Sequence, residues 1–183
     1  MWIFLKRAAY ADASDLKRNL VDAGNEKLME EIIGVLNGGK FSGGYQKIIN
    51  RLALKVAGMT NFHGNVEDQA EAVFQAVKSR GHFPSPMKHG QCFLGGTDKA
   101  KSARCFSQTD GVVHRERAGP EVCGKCIFHL TKAAYLRNLV RDNEKQRRRL
   151  REETLTEFQK QRIQLECENL EKAVELLRKR LGI

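Results

Sequence analysis

Between Leu130 and Leu181 the chain contains neither glycine nor proline. A stretch this long without a helix breaker reads as long helix, folded back as a hairpin. Within it Ile163, Cys167, Leu170, Val174, Leu177 and Leu181 step by 4, 3, 4, 3 and 4 residues, a heptad seam. The seam can pair with the helix near residues 131–150 of the same chain, or with a second copy. Short isolated seams are commoner as intramolecular packing, which favours the hairpin.

The first third also reads as helix. Asp12 or Ser14 is placed to cap a helix carrying Leu16, Leu20, Val21, Leu28, Ile32, Val35 and Leu36, and Gly24-Asn25 is a candidate break within it. Four glycines in the seven residues 38–44 make a loop. A short helix is expected from Tyr45 to Ala57, buried through Ile48, Ile49, Leu52 and Val56. Asn65 is placed to cap another, with Val66, Ala70, Val73, Phe74 and Val77 on one face and Gly81 at its end. Pro84 and Pro86 mark an irregular link to the cysteines. The expected fold is mainly α: a helical N-terminal part over residues 1–60, a helix plus an irregular zinc-stapled centre over 61–129, and a helical hairpin over 130–183.

The centre holds four of the five cysteines. Cys123 and Cys126 form a Cys-x-x-Cys pair, a turn that gives two thiolates to one ion. Cys92 and Cys105 are the other pair, with twelve residues between them. Four thiolates close the tetrahedral shell of zinc and leave no position for water, which makes a folding element and not a catalyst. His129 follows Cys126 at another x-x spacing and can replace Cys92 or Cys105; His89 lies three residues before Cys92. Cys167 falls on the heptad seam, where a small hydrophobe fits, and is left out of the site. Buried free thiols are the plain alternative.

The formal net charge is +10, which favours an acidic partner, above all nucleic acid, although a merely basic surface has the same composition. The densest basic run lies on the hairpin: Arg137, Arg141, Lys145, Arg147, Arg148, Arg149 and Arg151 are the candidate nucleic-acid contacts. Arg137, Arg141, Lys145 and Arg148 share one helical face that can follow a phosphate backbone. A solvated helix face is the competing reading. The longest apolar run at the start, Trp2-Ile3-Phe4-Leu5, is far too short to span a membrane or form a signal-peptide core, so a cytoplasmic location is expected, where clustered thiols suggest metal before disulfide.

Two fragments of catalytic motifs fail on their own terms. Gly34-x-x-x-x-Gly39-Lys40 imitates a phosphate-binding loop, but Phe41 stands where a hydroxyl is needed and helix precedes it in place of strand. Arg80-Gly81-His82 and His114-Arg115-Glu116-Arg117 look like pieces of a tyrosine recombinase site in the wrong order, with no suitable tyrosine after them. No catalytic centre stands out.

Several features nevertheless fall in a familiar order. The loop Lys40-Phe41-Ser42-Gly43-Gly44 is followed by the helix with Asp68-Gln69-Ala70-Glu71-Ala72-Val73. Then come His89-Gly90-Gln91-Cys92-Phe93-Leu94, Ala103-Arg104-Cys105, Gly119-Pro120-Glu121-Val122-Cys123-Gly124-Lys125-Cys126, and the helical hairpin. Over roughly residues 26–180 this resembles the cysteine-rich C-terminal region of large mobile-element integrases of the tyrosine recombinase (phage integrase) family. The resemblance implies a tail whose catalytic core lies elsewhere, acting in DNA recombination as a DNA-binding or assembly module, with DNA, a recombinase core or a second copy as partners. Tyr10 sits about where the nucleophile of such a core would end, without the arginines and histidines that activate a phosphate. A free-standing zinc protein that binds nucleic acid, and a protein-interaction module built on the heptad seam, are the alternatives.

Overall fold

The structure, a computed structural model, describes residues 2–59, 63–95, 99–152 and 154–183, with side chains from Ser14 onward. The chain is mainly α, as its periodicity predicts. Among the described residues, six α-helices surround a small sheet: α1 (Trp2–Leu36), α2 (Gly44–Ala57), α3 (Val66–Lys78), α4 (Pro120–Cys123), α5 (Ala133–Arg149) and α6 (Glu157–Leu181). Four short strands, β1 (Phe41–Ser42), β2 (Ser85–Met87), β3 (Gly90–Cys92) and β4 (His129–Lys132), pair in the order β1-β4-β3-β2, all antiparallel. Among the described residues no helix is long and apolar enough to cross a membrane.

The first core is made by α1, α2 and α3. Leu28 and Ile32 of α1, Ile49 of α2, and Ala70, Val73 and Val77 of α3 are fully enclosed, at the 3–4 spacing that puts them on one face of each helix. Phe93, just after β3, and Leu130, within β4, complete it. Tyr45 stacks flat on Phe93, with centroids 4.0 Å apart. Asn65 caps α3 as expected, in a reciprocal pair in which Asn65 Oδ1 accepts from the Asp68 N–H and Asp68 Oδ2 accepts from the Asn65 N–H.

Three expectations for the N-terminal part are corrected. The first helix begins at Trp2, so neither Asp12 nor Ser14 caps it. It runs unbroken through Gly24, where the missing Cβ leaves room for the Phe83 ring. Leu16, Leu20 and Val21 are exposed, not core. The reason is length: α1 has 35 residues, about 52 Å at 1.5 Å per residue, whereas α2 and α3 offer only about 20 Å each to pack against. The side chains of Trp2, Ile3, Phe4, Leu5 and Tyr10 lie outside the described residues.

The centre is less irregular than the sequence suggests. The glycine loop carries β1, and the proline link carries β2, an edge strand that tolerates Pro86. Three-residue strands have too few alternations to be read from a pattern. Gly43, at φ 128°, lets the loop run against β4; a Cβ there would collide with the His129 carbonyl.

The C-terminal part is the hairpin. All six seam residues of α6 are buried. Leu170, Val174, Leu177 and Leu181 pack with Leu136 and Leu139 of α5 in the same chain. Thr156 and Gln159 form a capping box at the start of α6, and Gly182 ends it in the left-handed conformation.

The N-terminal core is tied to the hairpin by charge. Glu31 on α1 is 1% exposed, and its carboxylate lies 3.0 Å from Lys132 Nζ at the junction of β4 and α5, with Lys27 3.4 Å away. Lys132 also reaches Glu30 at 3.0 Å. Removing one member of such a pair leaves an uncompensated buried charge. Lys132→Met should therefore destabilise the protein by about 3 kcal/mol, read as a drop in urea midpoint, and Glu31→Gln should cost much less. Equal, small effects from both substitutions would show that the pair does not hold the two parts together.

Candidate metal centre

The four central cysteines come from three pieces of backbone: the end of β3, the turn at Cys105, and the Cys123–Cys126 turn. Cys92 ends β3, and its partner across the ladder is His129 of β4. Directly opposed residues put their side chains on the same face of the sheet. Cys105 opens a small turn: its carbonyl accepts from the His114 N–H at 2.8 Å, and Phe106 bridges Val113. Cys123 ends the single turn of α4, which starts at Pro120, a residue whose fixed φ suits that position. Cys126 follows, its N–H donating to the Cys123 carbonyl at 2.9 Å.

All four cysteines, together with His89 and His129, line one cavity of about 490 Å³. Beneath it Leu94, Ala103, Cys126 and Phe128 form a third small core. The thiols are unpaired, with no disulfide among them. Among the described residues no three Cys, His, Asp or Glu side chains are drawn together closely enough to hold a metal ion; the cysteines share the wall of one space without converging on a point.

The electrostatics suit a cation. Burial pushes the Cys123 thiol up to about 12, and nearby Cys126, Cys92 and Cys105 push in the same direction. Burial raises Cys92 and Cys105 as well. Clustered thiolates here would be desolvated and mutually repelling, a state that a divalent ion reverses by binding them. The histidines point the same way. His129 is 1% exposed, and neither of its ring nitrogens has a hydrogen-bond partner; His89 Nε2 also has none. The two rings lie 5.2 Å apart. Buried nitrogens without partners are costly unless something binds them. Thiolate and imidazole are the donor types zinc takes, and the cavity wall carries four of the first and two of the second. His89 is a further neighbour of the site that the cysteine spacing alone does not single out; its only sequence signal is the x-x gap to Cys92.

Cys167 is placed apart, on the seam of α6, and does not line this cavity. The basic candidates Arg137, Arg141, Lys145, Arg147, Arg148, Arg149 and Arg151 are all exposed along and just after α5. Arg147 is engaged by Glu171 of α6 at 2.5 Å, and Arg141 and Arg149 donate to Asn138 and Gln146 on their own helix. Gly34 lies inside α1, which rules out a phosphate-binding loop there. His82 Nδ1 is 2.9 Å from the Phe93 carbonyl, and His114 is held between Asp110 and Glu116, so the motif fragments serve local structure.

Compared with known proteins, the chain matches no family model, no curated protein and no solved structure.

Burial holds His89 at about 4 and His129 at about 3, below the ordinary 6.5, with Arg180 adding to the shift at both. Both rings are neutral in the folded chain, whereas the unfolded chain protonates them near 6.5. Their contribution to stability is thus complete above pH 6.5 and declines as the pH falls from there toward 4. The melting temperature should drop between about pH 7 and pH 5, while the imidazole NMR signals of these two residues stay still. Signals from both that move through a midpoint near 6.5 would show that the rings are open to water.

Proposed function

We propose that this chain is a non-catalytic, zinc-stabilised DNA-binding or assembly module of a tyrosine recombinase or integrase, either the tail of a larger protein or separately encoded, acting in DNA recombination. The observation that carries the reading is the single cavity lined by Cys92, Cys105, Cys123 and Cys126, in the order and setting that the integrase resemblance implies. Cys92, Cys105, Cys123 and Cys126 would hold a zinc ion there as a structural cross-link and not as a catalyst. The chain's own residues join the parts around it: β3 and β4 bring Cys92 beside the Cys123–Cys126 turn, and Thr131 Oγ1 donates to the His89 carbonyl at 2.8 Å.

The charge of +10 supports an acidic partner. The exposed Leu16, Leu20 and Val21 on the projecting half of α1 support an assembly role. The seam of α6 is filled by α5, which disfavours a module that recruits a second copy through that seam. A free-standing zinc-containing nucleic-acid-binding regulator is the alternative that keeps the same metal site.

Protein purified without added metal should carry about one zinc per chain, and chelator or Cys123→Ser should lower its melting temperature. A zinc content near zero, with melting unchanged in chelator, would remove the metal from this reading.

A further inference from the structure

A second cavity, of about 680 Å³, opens between α2, the end of α3, the Cys-x-x-Cys turn and the end of α6. Its charged lining is entirely basic. Lys47, Arg51 and Lys55 come from α2, joined by Arg80, Lys99, Lys125 and Arg180, and no aspartate or glutamate is among the lining residues. The α2 residues are spaced by four, so they stand in one row along the helix. That row is about 12 Å long, enough to lie along several phosphates at ~3.4 Å of axis per charge on each strand. Among the described residues, no ion pair engages Lys47, Arg51, Lys55, Arg80 or Lys125.

The start of α2 adds to the same field. Ser42, Gly43 and Gly44 line the cavity, and Gly43 provides no side-chain cap, so the first-turn N–H groups are left to other acceptors. His82 in the wall is held below its ordinary value by burial first, then by the charges of Arg80 and Lys99. Like charges gathered in a concavity repel one another, and an anion reverses that repulsion. On α5, by contrast, Arg147 is engaged by Glu171, and Asp142 and Glu144 lie among the other cations.

The cavity is also mechanically joined to the metal centre. Arg180 donates to the Pro120 carbonyl at 2.8 Å, and its guanidinium lies where a Cβ on Gly124 would be. Gly124 and Lys125 are the two residues between Cys123 and Cys126. The turn that presents two thiolates to one cavity therefore positions Arg180 and Lys125 in the other.

We infer that this basic cleft, and not the arginine-rich stretch of α5, seats the phosphate backbone of DNA. The inference rests on the DNA-binding reading above and adds the place of contact. A row of cations spaced along one helix makes it a backbone contact, steeply dependent on salt.

The test is fluorescence anisotropy of a labelled DNA duplex, titrated with the full chain at several salt concentrations. Two triple variants are compared with the unaltered protein: Lys47→Gln/Arg51→Gln/Lys55→Gln in the cleft, and Arg137→Gln/Arg141→Gln/Lys145→Gln on α5. All six side chains are exposed, and circular dichroism melting checks that each variant is folded. The cleft variant should bind roughly tenfold or more weakly, with a salt slope shallower by about 2–3, while the α5 variant changes much less. A loss confined to the α5 variant, or equal losses in both, would overturn the cleft assignment and leave the DNA-binding reading standing. Absence of salt-dependent binding by the unaltered chain would overturn that reading and the cleft with it.

Discussion

The backbone pairing of β4 on both of its edges is the constraint from which the rest of the arrangement follows. Four residues, His129 to Lys132, lie between β1 and β3. Each does a different task. His129 faces the cysteine cavity, Leu130 enters the three-helix core, the Thr131 hydroxyl ties down the His89 carbonyl, and Lys132 meets the buried Glu31. Alternation along a strand sends neighbouring side chains to opposite sides, which is how so short a segment can serve several environments. Because β4 also connects the Cys-x-x-Cys turn to α5, the cysteine cavity, the N-terminal core and the hairpin share one piece of chain.

The polar groups around this strand are arranged at some cost. Glu31 is buried with lysine partners, and His89 Nε2 and both His129 ring nitrogens are buried without any. A protein of this size does not hold several such groups without compensation. For Glu31 the compensation is Lys132. For the histidines and the four thiols, the proposed zinc ion in the same cavity would be the compensation.

The glycines around the cysteine segment are explained by close approach. Gly43 lets β1 reach the His129 carbonyl, and Gly124 makes room for Arg180. A larger residue at either place would push apart elements that belong to different parts of the sequence. The effect at Gly124 would reach both cavities, since its neighbours in sequence are a thiol and a cation.

The amphipathic elements were legible in the sequence. The seam of α6 and the helices through Ile49 and Val73 repeat their signals over several turns, the Asn65 cap of α3 is a local signal, and local geometry suffices to read them. The Cys-x-x-Cys turn was legible for the same reason, since both ligands lie within one turn of chain. The burial of Leu16 and Leu20 was misread because periodicity reveals a face but not whether anything covers it. The sheet escaped because its strands are two to four residues long. The basic cleft was hidden for a stronger reason: Lys47, Arg80, Lys125 and Arg180 are far apart in sequence, and each alone is an ordinary surface cation. The sequence by itself determined which segments are helical and that Cys123 and Cys126 face a common space, because those features depend on near neighbours. Only the tertiary structure decided that Cys92 stands opposite His129, that Glu31 finds Lys132, and that seven cations converge without a carboxylate. Those outcomes depend on which distant segments pack together, and no local spacing encodes them.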